Sequence, residues 1–318
     1  MKIVIPGGTG QIGQILTRAF VAAGHEVVIL SRTVSPSAVR VVAWDAINSG
    51  EWEREIDGAD VVVNLAGRSV NCRYSAANRR DIMESRVNST RAIAKAMAGA
   101  VRPPKVWLQS STATIYAHRY DTPNDETTGL IGGDEPNVPG TWRFSTDVAK
   151  AWESAASEIP LPRTRTVLMR TAMVMSPDRD GVFDVLAGLV RKRLGGTNGN
   201  GRQFVSWIHD HDFTRAALWL IDRDDLSGPV NLCSPNPLPN AEFMRILRQA
   251  AGIKIGLPAT KWMLELGAIF LKTETELILK SRRVVPGRLM ESGFRFEFPE
   301  WANATRDLWG RYLAGGKD

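Results

Sequence analysis

The sequence predicts an α/β fold: a doubly wound parallel sheet with a smaller α+β subdomain towards its C-terminus. Three observations lead there. Short apolar runs alternate with segments of helical periodicity through the first two thirds of the chain, the first run enters its helix through GGTGQIG (residues 7–13), and after about Pro177 the alternation loosens.

Each element follows from its own pattern. KIVI (2–5) reads as a buried strand, and Ile12, Ile15, Leu16, Ala19 and Phe20 then recur at helical spacing up to Ala23. EVVILS (26–31), RVVAW (40–44) and DVVVNLA (60–66) are the next strands. Ile82, Met83, Val87, Ile93 and Met97 mark a long helix between Ser75 and Ala100. KVWLQSS (105–111) is a strand, a helix is expected over Ser145 to Ser157, and TVLMRTAMVM (166–175) is expected as one more buried strand. A helix from Val182 to Arg193 leads into the loop GGTNGNGRQ. QFVSWIH as a strand, a helix from Phe213 with Asp212 as its N-cap, the strand PVNLCS and a helix from Asn240 to Ala251 follow. Helical segments are expected from Pro258, among them WMLELGAIFL as a core helix, and a last short helix ends the chain. The expected organisation is Rossmann-type: a sheet domain over 1–175, joined by some later strands and helices, with residues 176–318 forming a subdomain over its open end.

Bulk properties narrow the function classes. A chain of 318 residues with 43% hydrophobic content buries a sizeable core. Its 40 Lys plus Arg against 34 Asp plus Glu are interspersed in both signs without a basic arm, which argues against a nucleic-acid partner. WMLELGAIFL is short and interrupted by Glu265, so no membrane partner is expected. Cys72 and Cys233 have apolar neighbours and no CxxC or His-rich company; they read as reduced core thiols, with no metal site and a cytoplasmic location. The chain opens directly with the strand KIVI and has no apolar h-region before the glycine turn, so no signal peptide is expected.

The glycine turn carries the chemistry. Gly7, Gly8, Gly10 and Gly13 bring bare backbone to a helix N-terminus at Gln11 and Ile12, where a pyrophosphate approaches closely. An NAD site usually ends its second strand with Asp or Glu; here Ser31 and Arg32 stand there, and a guanidinium suits the 2′-phosphate of NADP(H). Asp45, at the end of the third strand, is suited either to the adenine amino group or to capping a turn. Leu65, Ala66 and Gly67, after Asn64, end the fourth strand with small residues that leave room for the cofactor.

GGTGQIG, NLAG and SSTATIY together resemble the extended short-chain dehydrogenase/reductase superfamily. ESRVNSTRAI, GGTNGNGRQFVSWIHDHD, PVNLCSPNPLPNAEF and RLMESGFRFEFP are similar to an atypical epimerase-family subgroup with a C-terminal domain of unknown function. Ordinary members move a proton with a tyrosine whose pKa is lowered by a lysine four residues on. None of Tyr74, Tyr116, Tyr120 and Tyr312 has that lysine, and aligning the helix on Glu153 puts Ser145 and Ala149 in the two positions. The resemblance implies that Thr112 orients the substrate, with Ser110 and Ser111 beside it, unless these hydroxyls only satisfy backbone groups. Tyr116 is the candidate substitute acid or a packing residue, and Lys150, turned about 100° from the missing lysine, reads as solvent-facing. Arg86 replaces a usual asparagine and either meets a substrate anion or braces its helix.

On the substrate side, Arg202 and Gln203 follow the glycine-rich loop as donors for a phosphate or carboxylate. His209, on one strand face with Trp207, is either an acid–base group or a hydrogen-bonded core histidine. The expected function is an NADP(H)-binding oxidoreductase or epimerase-like enzyme for an unknown small polar substrate, as a monomer or homodimer. The alternative is a non-catalytic NADPH-dependent regulator or scaffold; an ordinary sugar-nucleotide epimerase ranks third because it needs the missing tyrosine.

Overall fold

The computed structural model describes residues 1–259 and 276–315. The stretch WMLELGAIFL, expected as a core helix, lies outside the described residues.

Seven strands pair in one parallel sheet: β1 (Lys2–Pro6), β2 (Glu26–Ser31), β3 (Arg40–Ala43), β4 (Val61–Asn64), β5 (Val106–Thr112), β6 (Arg165–Thr171) and β10 (Gly228–Leu232). Their order, β10-β6-β5-β4-β1-β2-β3, reverses at β1, so a crevice opens beyond the carboxyl ends of β1 and β4. Both faces of the sheet are buried, which is why its strands read as continuous apolar runs. Ile3 and Ile5 pack on one face with α1 (Gln11–Ala22) and α6 (Asp210–Asp222); Val4 and Trp107 pack on the other with α3 (Ala76–Gly99). Ser75 caps α3 by accepting from the Asn78 amide. The short α2 (Glu53–Ile56) precedes β4.

Four expectations are corrected. The helix α4 (Gly140–Ala155) begins five residues before Ser145, because Pro139 sets the first turn and its carbonyl accepts from the amides of Trp142 (2.9 Å) and Arg143 (3.0 Å). TVLMRTAMVM is two strands. At Ala172 the amide turns to the Leu232 carbonyl at 3.0 Å, and β7 (Met173–Met175) leaves the main sheet to pair with β9 (Trp207–His209). QFVSWIH also divides, at Ser206, whose hydroxyl donates to the Arg282 carbonyl at 2.8 Å; β8 (Phe204–Val205) pairs with β11 (Leu238–Pro239) instead. Finally, α6 starts at Asp210, capped by His209 Nδ1 accepting from the His211 amide, and Asp212 lies inside it. The buried Asp212 carboxylate accepts from the amides of Glu297 and Phe298, both at 2.8 Å, and so anchors the C-terminal segment.

A separate cluster under this segment joins α5 (Val182–Arg191), α7 (Asn240–Ala250) and α10 (Trp301–Gly315) around Trp207, Phe243 and Trp301. The last helix, expected to be short, has 15 residues. Between α7 and α10 lie two short helices, α8 (Glu276–Leu279) and α9 (Gly287–Glu291). Cys233 is buried, with its thiol pKa pushed well up by burial, whereas Cys72 is only half-buried and is not the core thiol expected. Among the described residues no helix is long and apolar enough to cross a membrane, and no cluster of metal-ligating side chains forms.

Candidate functional site

The glycine turn is built by steric necessity. Gly7 has φ +77°, and a Cβ there would lie 2.8 Å from the Ala66 backbone; a Cβ on Gly13 would lie 2.4 Å from the Gly8 carbonyl oxygen. Bare backbone therefore lets β1, α1 and the end of β4 meet. The N-terminus of α1 starts at Gly10 with no side-chain cap and no acidic residue in its first turn. The amides of Gln11, Ile12 and Gly13 precede the first intrahelical bond and face the crevice end of the sheet with a favourable dipole for an anion. Beside them, Gln11 Nε2 is buried without a protein acceptor among the described residues. Ser31 Oγ lies 3.3 Å from Thr9 Oγ1 at the end of β2, and Arg32 next to it is exposed. Leu65 continues the turn, its amide donating to the Pro6 carbonyl at 2.8 Å, and the Ala66 amide bonds to Asn64 Oδ1. These residues fit a dinucleotide: uncapped amides, an unused amide donor and a free guanidinium.

Other expected site residues are engaged elsewhere. Asp45 closes a turn, its carboxylate accepting from the amides of Asn48 (2.8 Å) and Ile47 (2.9 Å), which hold its pKa down. Tyr116 is sealed in the core: its hydroxyl donates to Asn231 Oδ1 at 2.9 Å and accepts from Arg170 at 3.0 Å, and burial pushes its pKa up. These contacts correspond to the packing role of the two readings. Gln203 is buried, donating to the carbonyls of Asn198 and Ile278, and Arg202 lies exposed over the Tyr120 ring. His209 is the core histidine of the two readings: it stacks on Phe298, its Nε2 meets Asp307 at 3.0 Å, and burial lowers its pKa. Lys150 pairs with Asp134 at the surface.

Thr112 and Arg86 do come together. With Thr114, Tyr74, Phe144, Ser145, Trp152 and Glu276 they wall a cavity of about 120 Å³ between α3, α4 and the end of β5. Thr112 Oγ1 accepts from the Thr114 amide at 3.2 Å, the backbone role weighed above, while its side chain still lines the cavity. The hydroxyl of Ser145 donates to Glu276 Oε2, whose carboxylate also pairs with the buried Arg282 at 3.5 Å. Burial and the Glu276 charge push the Tyr74 phenol pKa up against a hydrogen bond with Ser145. Tyr74, Trp152 and Glu276 were not identifiable as site residues, because only their three-dimensional neighbours distinguish them. A larger hollow of about 310 Å³ beside Ala156, Ile159 and Leu168 is a surface groove whose one carboxylate, Glu153, is already bound to Arg170.

The segment 276–282 also brings Lys280 under the cavity, its Nζ donating to the Thr114 carbonyl at 2.7 Å. Burial, then the Arg282 charge, push its pKa down to about 8. An unfolded chain keeps this proton to higher pH, so relative stability rises as pH increases from about 8 to 10.5, by up to about 3 kcal/mol. Urea unfolding across that range should reveal this rise in the wild type and its absence in Lys280→Met.

Residues 3–233 match the NAD dependent epimerase/dehydratase family and residues 259–308 match a domain of unknown function, DUF1731. The epimerase family protein SDR39U1 of Bos taurus is 30% identical over 97% of this chain and 99% of its own length. The epimerase family protein YfhF of Bacillus subtilis is 29% identical over 97% of this chain and 98% of its own. A crystal structure of human epimerase family protein SDR39U1 (isoform2) with NADPH superposes with a TM-score of 0.85 at 28% identity, covering 97% of this chain and 99% of that one. The chain belongs to the NAD dependent epimerase/dehydratase family.

Proposed function

We propose that this protein binds NADP(H) in the crevice between β1 and β4 and acts as an oxidoreductase or epimerase-like enzyme on a small polar substrate. The observation that carries the reading is the uncapped N-terminus of α1 beside the exposed Arg32, with no carboxylate at the end of β2. The human relative solved with NADPH supports the same cofactor. Gly7, Gly10, Gln11, Ile12 and Gly13 would hold the pyrophosphate, Ser31 and Arg32 the 2′-phosphate, and Leu65, Ala66 and Gly67 would flank the path to the cavity. The bound nicotinamide supplies a hydride donor or acceptor.

The chain's own residues handle the proton. Ser145 stands where the family resemblance puts the catalytic tyrosine, and Ala149, fully buried, stands where it puts the lysine. Neither of these titrates usefully alone, but Glu276 changes the position: a substrate hydroxyl can pass its proton to Ser145 Oγ as the serine proton moves to the carboxylate. Thr112 and Thr114 flank that point as hydroxyl donors.

Titration with NADPH and NADH, followed by nicotinamide fluorescence, tests the cofactor. NADPH is expected to bind at least ~10-fold more tightly, and Arg32→Ala to remove that preference while leaving NADH affinity in place, as loss of a charge-assisted phosphate contact requires. Binding of neither nucleotide would overturn the proposal.

A further inference from the structure

Arg86 carries a charge that the fold itself does not neutralise. Arg86 is half-buried, and burial pushes its pKa down to about 10. Nη1 donates to the carbonyls of Arg68 (2.9 Å) and Ile82 (3.1 Å), and the group sits 4.9 Å over the Trp152 ring. Among the described residues no carboxylate pairs with it. Trp152 adds an unmatched donor, since its indole N–H is buried without an acceptor among the described residues. Both residues wall the cavity that also contains Ser145 and Glu276. A partly desolvated cation without a counter-charge and a buried N–H without an acceptor each cost free energy until an anion arrives.

We propose that this cavity binds a small carboxylate on Arg86 and presents the acid's neighbouring hydroxyl or carbonyl oxygen to Ser145, which makes the substrate class a short-chain 2-hydroxy or 2-oxo acid. The guanidinium fork matches a carboxylate's two oxygens. At about 120 Å³ the cavity has the space of roughly four waters at ~30 Å³ each, enough for such an acid and far below the several hundred Å³ of a drug-sized ligand. Glu276 in the same wall disfavours a doubly charged phosphate. The assignment rests on the proposed function for the hydride chemistry, although the binding site stands on its own residues.

Calorimetric titration of the full chain with oxamate, with and without saturating NADP⁺, tests it. Oxamate is expected to bind the NADP⁺-loaded protein, with affinity reduced at least ~10-fold in Arg86→Met and increased in Glu276→Gln, and inorganic phosphate to bind more weakly than oxamate. Because Arg86 also holds two backbone carbonyls, thermal melts check that the variant folds. Arg86→Lys, which keeps the charge without the fork, should fall between wild type and Arg86→Met. Equal oxamate affinity in wild type and folded Arg86→Met overturns the proposal, as does a folded wild type that ignores oxamate. Mutual displacement of oxamate and NADP⁺ also overturns it, assigning Arg86 to the nucleotide. A protein that takes oxamate but neither NADPH nor NADP⁺ overturns the cofactor reading and leaves this assignment in place.

Discussion

Gly13→Ala is expected to weaken NADPH binding by about 100-fold or more and to lower stability by about 1–3 kcal/mol. The new Cβ would lie 2.4 Å from the Gly8 carbonyl oxygen and 2.5 Å from Gly8 C and Cα. No rotamer relieves a clash between Cβ and backbone. The turn cannot yield easily either, since the Gly8 amide is tied to the Ile5 carbonyl at 3.0 Å and the Gly10 amide to the Gly7 carbonyl at 3.2 Å. The helix must therefore shift, carrying the amides of Gln11 to Gly13 with it and lifting Ile15, Leu16 and Phe20 from the sheet. Gly10→Ala is the control for stability alone, since it stands on the proposed pyrophosphate path: its nearest protein neighbour would be 3.6 Å away, an ordinary contact, and its φ of −73° suits alanine. Fluorescence titration and urea unfolding of both variants check this, and a Gly13→Ala protein that binds NADPH like wild type would contradict the steric account.

Glu153→Ala is expected to cost about 3–5 kcal/mol, the largest stability loss anticipated for one side chain here. Glu153 on α4 grips Arg170 on β6 through two hydrogen bonds of 2.8 Å and accepts a third from Ser111 at 2.6 Å. Arg170 in turn donates to Tyr116, which donates to Asn231 on β10, so one network ties a helix to three strands. Burial alone would push the Arg170 pKa down; hydrogen bonds and charge from Glu153 more than reverse it. Removing the carboxylate strands that cation in the core. Urea unfolding at neutral pH should give the loss, Glu153→Gln should lose less, and Glu153→Met with Arg170→Met should recover much of it, because the buried charge then disappears along with its partner. A loss below about 1 kcal/mol in Glu153→Ala would mean that packing, rather than the ion pair, joins α4 to β6.

The features that were legible in the sequence are those decided by neighbours along the chain. GGTGQIG marks its turn because only glycine tolerates the approach, and Ser75 marks the start of α3 because a cap acts within one turn. Whatever depends on a distant partner was hidden. TVLMRTAMVM is apolar throughout, and its break at Ala172 is set by the Leu232 carbonyl on another strand. Tyr116, Gln203 and His209 have the right chemistry for a site, yet Asn231, Ile278 and Asp307 claim their polar atoms. Nothing in the local pattern around Glu276 or Lys280 separates them from surface charges; Ser145 and Thr114 do so.

The bond from Lys280 to Thr114 spans 166 residues and that from Ser145 to Glu276 spans 131, which fixes an order of events during synthesis. A chain emerging N-terminus first has its glycine turn and all seven sheet strands in hand once Leu232 is added. Residues 276–282 arrive later, and only then can the wall between α3 and α4 be closed. The nascent protein thus has its glycine turn and whole sheet before the cavity wall can close, and the later segment that bonds to Asp212 and packs Trp301 against Phe243 docks last.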